Sequence, residues 1–303
     1  MISEELKRKL SVPQGKIDVV LDTDTFNEVD DQFAIAYMLK SKDKLNVKAI
    51  YAEHFLNEKA SSRKEGMEKS YQEILKVLSL AHEKVEVYKG STDALKNEYE
   101  PVLSDAALDL VRRAKDYTSE KPLYVAAIGA ITNIASAIMI DPSIKDKIVV
   151  VWIGGHAWHL ARTEEFNLFQ DIHAGRFMLK CGVPFVQIPC KGVTDLFRVS
   201  YSEFKEFFIG KNELSTYLAL NAIQEVQKAV KGDIWTRVIW DVLSIAWLLN
   251  DEDRFMNTRI VKARIPNYDY VYEDTEDAPY IAYVYYIKGR DALLSDLIEK
   301  LTK

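Results

Sequence analysis

The chain has 303 residues, 48% of them hydrophobic, enough to bury a sizeable core as one large α/β domain. Its 40 basic residues are mixed among 46 acidic ones for a formal charge of −6, so no basic field exists for nucleic acid or an anionic membrane, and a small molecule is the expected partner. Both cysteines, Cys181 and Cys190, lie in apolar stretches and read as reduced, packed thiols. With no signal-peptide core at the N-terminus and no run approaching about 18 apolar residues, the expected setting is the cytoplasm.

In chain order, β-branched apolar runs predict strands at residues 17–21, 47–52, 85–88, 123–127, 148–153 and 184–188. Helical patterns fill the gaps at 31–40, 64–80, 104–115, 133–140 and 173–180. This βαβα order predicts an open, mostly parallel sheet flanked by helices, with residues 1–303 forming a single domain. After Cys190 the pattern changes to helices at 202–208, 214–231 and 242–249, then strands at 258–264 and 280–287, read as a C-terminal helical and strand lobe. The polar stretch 267–278 reads as a loop joining the last two strands.

Ligands of such sheets bind outside the carboxyl ends of the strands. Asp22 and Asp24 follow the first strand, Ile128 and Gly129 the fourth, and Gly154, Gly155 and His156 the fifth. The segment from Asp22 to Asp31 holds five carboxylates within ten residues, Asp22, Asp24, Glu28, Asp30 and Asp31. Their mutual repulsion calls for a cation, and hard oxygen donors suit Ca²⁺ or Mg²⁺ better than zinc. Asp30 and Asp31 also suit the start of the following helix, at its positive dipole end.

This D-x-D, loop, D-D pattern resembles the N-terminal signature of the nucleoside hydrolase family. Three later segments occur in that family's order: Ile128-Gly129-Ala130-Ile131-Thr132-Asn133, Glu165-Phe166-Asn167 and Trp240-Asp241. The resemblance implies hydrolysis of the N-glycosidic bond of a ribonucleoside or related riboside by a calcium-activated water. It further implies that Asp24, Asp31, Asp241 and the Ile128 carbonyl hold Ca²⁺, and that Asp24 also takes the proton of the water. Asp30 and Asn167 would bind the ribose 2′- and 3′-hydroxyls, Glu165 the 5′-hydroxyl, and Asn57 the sugar more loosely, with Asp22 orienting the cluster. The expected assembly is a homo-dimer or homo-tetramer.

Three departures from the family stand out. Five residues separate Asp24 from Asp30, a longer loop than in the best-known members. Trp240 occupies the place of a histidine that can protonate a departing purine; indole cannot do so, but it can stack on a base or narrow the pocket. His159 stands six residues before Glu165, in place of an asparagine, and can bind a 5′-hydroxyl or supply the missing acid. His54 and His156 also follow strands and read as solvated loop residues, while His82 and His173 read as helix-surface residues.

Two other readings compete. The run Val19-Val20-Leu21-Asp22-Thr23-Asp24-Thr25 also resembles the haloacid dehalogenase-like phosphatase motif, with Asp22 as nucleophile, though the acidic GDxxxD motif expected downstream is missing after Gly232-Asp233. A non-catalytic calcium- and sugar-binding homologue would keep the ligands and lose turnover.

Overall fold

The computed structural model describes residues 2–303. Through the first two-thirds, strands and helices alternate: α1 (Glu4–Lys9), β1 (Ile17–Thr23), α2 (Asp31–Lys40), β2 (Leu45–Ala52), α3 (Arg63–Ala81), β3 (Glu86–Lys89), α4 (Asp105–Ala114), β4 (Leu123–Ala127), α5 (Thr132–Ile140), β5 (Ile148–Ile153), α6 (Phe166–Gln170), α7 (Ile172–Lys180) and β6 (Phe185–Ile188). Then follow β7 (Arg198–Ser200), α8 (Tyr201–Glu203), α9 (Glu213–Gln227), β8 (Thr236–Val238), α10 (Val242–Leu248), β9 (Met256–Lys262), β10 (Arg264–Pro266), β11 (Tyr272–Asp274), β12 (Tyr280–Ile287) and α11 (Arg290–Thr302).

Eight strands form the central sheet in the order β3-β2-β1-β4-β5-β6-β12-β9, parallel throughout except for β9, which runs antiparallel to β12. Side chains alternate between the faces as a pleat requires. Val19, Leu21, Val149 and Val151 join a core under α2, α3, α9, α10 and α11, whereas Val20, Val125, Val150 and Trp152 join a second core under α4, α5 and α7. Helix starts are set by side-chain caps: Ser62 accepts from the Glu65 N–H, and Ser104 from that of Ala107.

Strand order reverses between β1 and β4, so the connections leaving these two strands diverge and open a crevice at their carboxyl ends. Asp24 and Ile128 stand at its lip.

The helical and strand content expected after Cys190 is present, but its two long strands are not set apart: β12 pairs in parallel with β6, and β9 closes that edge. The expected loop 267–278 contains β11, paired with β10. In place of the regular helix expected at 202–208, the three-residue α8 (Tyr201–Glu203) widens into a π-turn over Phe204–Phe208. Helix α11 was not anticipated, although Leu293, Leu294, Leu297 and Leu301 carry the helical spacing and are buried.

Candidate active site

The site begins with β1, which carries Asp22 and Thr23 inside the sheet and delivers Asp24 at its end, buried. The long loop turns back at once, with Asn27 N–H bonding the Asp24 carbonyl at 2.8 Å, and ends at Asp30 and Asp31, where α2 starts. Asp31 is oriented by the Thr23 hydroxyl (2.7 Å). Asp30 accepts through Oδ2 from the backbone N–H groups of Trp240 (2.8 Å) and Asp241 (3.3 Å), which ties the start of α2 to the start of α10. Asp241, far away in sequence, thereby joins the cluster.

From β4, the Ile128 N–H bonds the Asp22 carbonyl at 2.9 Å, placing Ile128 beside Asp24. Gly129 permits this approach: a Cβ there would lie 3.3 Å from the Asp24 nitrogen and from the Glu53 side chain. Ile131 then takes a left-handed conformation (φ 63°), unusual for a β-branched residue. The turn presents Asn133 to two buried acids, its backbone N–H to Glu53 (3.0 Å) and its amide Nδ2 to Asp22 (2.9 Å).

Glu165 caps α6, accepting from the N–H groups of Asn167, Leu168 and Gly155 at 2.9, 3.1 and 2.9 Å. Asn167 directs its Nδ2 to the Ile153 carbonyl at 3.0 Å and the Ile128 carbonyl at 3.4 Å. These elements enclose a cavity of about 250 Å³, lined by Asp24, Asn27, Glu28, Asp30, Ile128, His156, Glu164, Glu165, Phe166, Asn167, Cys190, Lys191, Trp240 and Asp241.

Burial and mutual repulsion push Asp24, Glu28, Asp31 and Asp241 upward together. Burial, then the Asp31 charge, holds Asp24 well above the usual carboxylate range, and burial, then Asp30, does the same for Asp241. Asp31 rises to about 8 through burial and Asp30, opposed by the Thr23 hydroxyl. Glu28 rises through burial and Asp30, opposed by its ion pair with Arg237. Beneath the cavity floor, burial lifts Asp22 to about 7 against the Asn133 hydrogen bond, and lifts Glu53 well above its range.

Among the described residues, no three His, Cys, Asp or Glu side chains converge tightly enough to grip a metal as they stand. The donor set nonetheless fits a hard cation. Asp24 Oδ2 and Asp30 Oδ1 are buried with no hydrogen-bond partner, and the nearest cation to the latter is Arg237, at 3.9 Å. Unpartnered carboxylate oxygens in a low-dielectric pocket are costly, and a calcium-sized ion with oxygen ligands relieves that cost.

Of the residues expected at the site, Asp24, Asp30, Ile128, Glu165, Asn167, Trp240 and Asp241 line this one cavity. Asp31 stands immediately behind Asp24 and Asp30, and Trp240 is half-buried. Asn57 lies in a neighbouring recess with Asn27 and Glu28, donating to the Asn27 amide oxygen at 2.7 Å.

His159 does not reach the cavity. It is exposed and lines a separate cleft, while His156, three residues earlier, lines the cavity in its place. The Gly155 turn (φ +73°) and the hydrogen bond from the His156 N–H to Thr163 Oγ1 (2.7 Å) send the chain that way. Burial, then Lys191, lowers the His156 pKa to about 4, so its ring is neutral at pH 7. Nor is His54 solvated: it is fully buried, 3.0 Å from the Thr132 hydroxyl, and burial lowers its pKa to about 3.

Asp22 lies within the sheet and does not line the cavity, which removes it as the nucleophile of a phosphatase. Residues that sequence reasoning missed are Glu53, Asn27, Lys191 and Cys190. Only Glu53, an acid at the end of an apolar strand, carried a signal that could have found it.

An acidic cavity at the switch point of a mostly parallel sheet, with carboxylates gathered from three distant segments, defines a glycosidase-type site built to stabilise positive charge. The family model described as inosine-uridine preferring nucleoside hydrolase matches residues 19–277, and the chain belongs to that family. Among curated relatives, the pyrimidine-specific ribonucleoside hydrolase RihA of Escherichia coli O1:K1 / APEC is 26% identical over 263 residues, spanning 78% of this chain and 80% of RihA. Among solved structures, the plant nucleoside hydrolase PpNRh1 superposes with a TM-score of 0.75 at 19% identity, covering 96% of this chain and 99% of the other. An inosine-guanosine nucleoside hydrolase follows at 0.73 and 16% identity, covering 94% and 98%. The two structural likenesses establish the fold. With its family, the chain is a ribonucleoside N-glycosidase. No helix among the described residues is long and apolar enough to cross a membrane.

Proposed function

We propose that this chain hydrolyses the N-glycosidic bond of a ribonucleoside with Ca²⁺ as cofactor, as one 303-residue domain acting in the cytoplasm as a homo-dimer or homo-tetramer. The observation that carries the reading is the meeting of Asp24, Asp30 and Asp241 around one cavity, with Asp31 buried directly behind them and with buried, unpartnered oxygens on Asp24 and Asp30. Asp24, Asp31, Asp241 and the Ile128 carbonyl would hold the ion. When bound, Ca²⁺ supplies charge that offsets the carboxylates and Lewis acidity that lowers the pKa of water in the cavity.

Asp24 takes the proton of the water whose oxygen adds to the anomeric carbon, while the carbon–nitrogen bond breaks and its electron pair leaves with the base. Asp30 and Asn167 hold the 2′- and 3′-hydroxyls, and Glu165 the 5′-hydroxyl, and the carboxylates around the ring favour the oxocarbenium-like transition state. Trp240 borders the cavity as an apolar wall against which a base can stack. The identity to a pyrimidine-specific relative and the lack of an acid at position 240 together favour a pyrimidine nucleoside as substrate.

Base release and calcium binding measured on one preparation test the proposal. Calcium-dependent release of uracil from uridine is expected. Calcium binding without release from any nucleoside would instead establish a non-catalytic binding protein.

A further inference from the structure

The cleft that takes up His159 is larger than the catalytic cavity, at about 480 Å³, and its chemistry is the opposite. Trp158, His159, Arg259, Arg264, Tyr283 and Tyr285 line it, with no carboxylate in its wall, in a chain of net charge −6. Among the described residues Arg259 makes no ion pair; its guanidinium sits 5.4 Å from the Tyr283 ring centroid and 5.5 Å from that of Tyr285. Arg264 lies 5.3 Å from the Trp158 ring, and its one carboxylate, on Asp274, is 81% solvent-exposed at the side chain and neutralises it weakly. Trp158 and Tyr283 stack at 4.0 Å, and the Tyr283 hydroxyl accepts from the Trp158 backbone N–H at 3.1 Å, so the aromatic floor is rigid.

Two guanidiniums facing one aromatic floor repel one another, and nothing in the protein fills the space between them. Both arginines bear on Tyr283, opposing the upward push of burial on its hydroxyl. The opposite wall is tightly built: Gly192 has φ +87°, and a Cβ on it would come within 2.7 Å of Ala157 and 3.0 Å of the His159 ring. We propose that this cleft is a second binding site, separate from the catalytic cavity, for a small phosphate-bearing ligand with a planar ring, of the nucleoside monophosphate class. Guanidinium forks match phosphate oxygens, and the exposed face of Tyr285 offers a stacking surface.

The test is isothermal titration of the full chain with AMP, with inorganic phosphate, and with adenosine as the uncharged control, adenine release being followed in parallel. AMP is expected to bind more tightly than phosphate, to weaken as salt rises, and to lose affinity by about tenfold or more in Arg259→Ala and again in Arg264→Ala, as expected for a lost charge-assisted hydrogen bond. Adenosine binding and nucleoside hydrolysis should be unchanged in both variants, whose mutated side chains lie at the surface. Equal AMP affinity in wild type and Arg259→Ala, or parallel losses for AMP and adenosine, would overturn the proposal. A failure of AMP to bind, with a change of oligomeric mass in Arg259→Ala, would overturn it in favour of a contact between copies of the chain.

Discussion

In chelator, thermal stability should fall as pH rises from about 4 to about 8, and Ca²⁺ should reverse the fall. The acids at issue are held neutral in the folded protein: Asp31 moves from its ordinary 3.8 to about 8, and Asp24 and Asp241 stand well above their range. For a carboxyl whose folded pKa exceeds its unfolded one, the native state binds the extra proton, so its contribution is full below the unfolded pKa and is lost as pH climbs through the folded one. Each such proton gives a slope of about 1.4 kcal/mol per pH unit, roughly 3 °C in melting temperature for a chain of this size. Calcium at 100 times its Kd adds about 2.7 kcal/mol, or roughly 5 °C, and removes the slope because the cation takes the place of the protons. Differential scanning fluorimetry across pH in EGTA and in CaCl₂ measures both effects. Asp241→Asn should flatten the slope in EGTA and abolish the calcium response. A pH-independent melting temperature in EGTA, or a calcium response that survives in Asp241→Asn, would refute the reasoning.

Asp24→Ala should lower kcat by on the order of 10³-fold or more, since it removes both a cation ligand and the proton acceptor, with a far-ultraviolet spectrum like that of wild type. Asn167→Ala should act mainly through KM, raising it by about tenfold for uridine while kcat changes less. His159→Ala should leave uridine kinetics unchanged, because that side chain faces the other cleft, whereas His156→Ala should alter them. With Trp240 in the acid's place, nitrophenyl riboside should be cleaved on the order of 10²-fold faster than inosine, and equal kcat/KM values would show that leaving-group protonation comes from a group not named here.

How far the site could be read from the chain depends on what each signal encodes. Strand ends are set by local burial, so Asp24 and Ile128 could be placed at the carboxyl ends of β1 and β4 from apolar runs alone. The order of those strands was not encoded locally, yet the reversal between β1 and β4 turned two separate strand ends into one crevice. Asp241 lies more than 200 residues from Asp30, and only the hydrogen bond from its backbone to the Asp30 carboxylate shows why it belongs there. β9 and β12 come after a helical stretch and have no crossover helix between them, which is why they looked like a separate lobe. Their place in the sheet depends on pairing with β6, a contact the alternation of residues 280–287 does not announce.

The histidines show where such reading runs out. Two residues separate His156 from His159, and both follow β5, so spacing alone cannot choose between them. The choice is made by Gly155 in the left-handed region and by Thr163, which together turn His156 inward and leave His159 to the far side of the wall. The Lys191 N–H donates to His156 Nδ1 at 3.4 Å, so the neutral ring carries its proton on Nε2 and acts as a hydrogen-bond donor, not as an acid. A pKa near 4 makes the imidazolium scarce at pH 7, so the ring can orient a substrate oxygen while adding little as a proton source for a departing base. His156→Gln, which keeps a donor and cannot protonate, should therefore retain most of the activity that His156→Ala loses. A His156→Gln enzyme as impaired as His156→Ala would mean that the imidazole does transfer a proton, and that its pKa in the substrate complex is raised well above its value in the free protein.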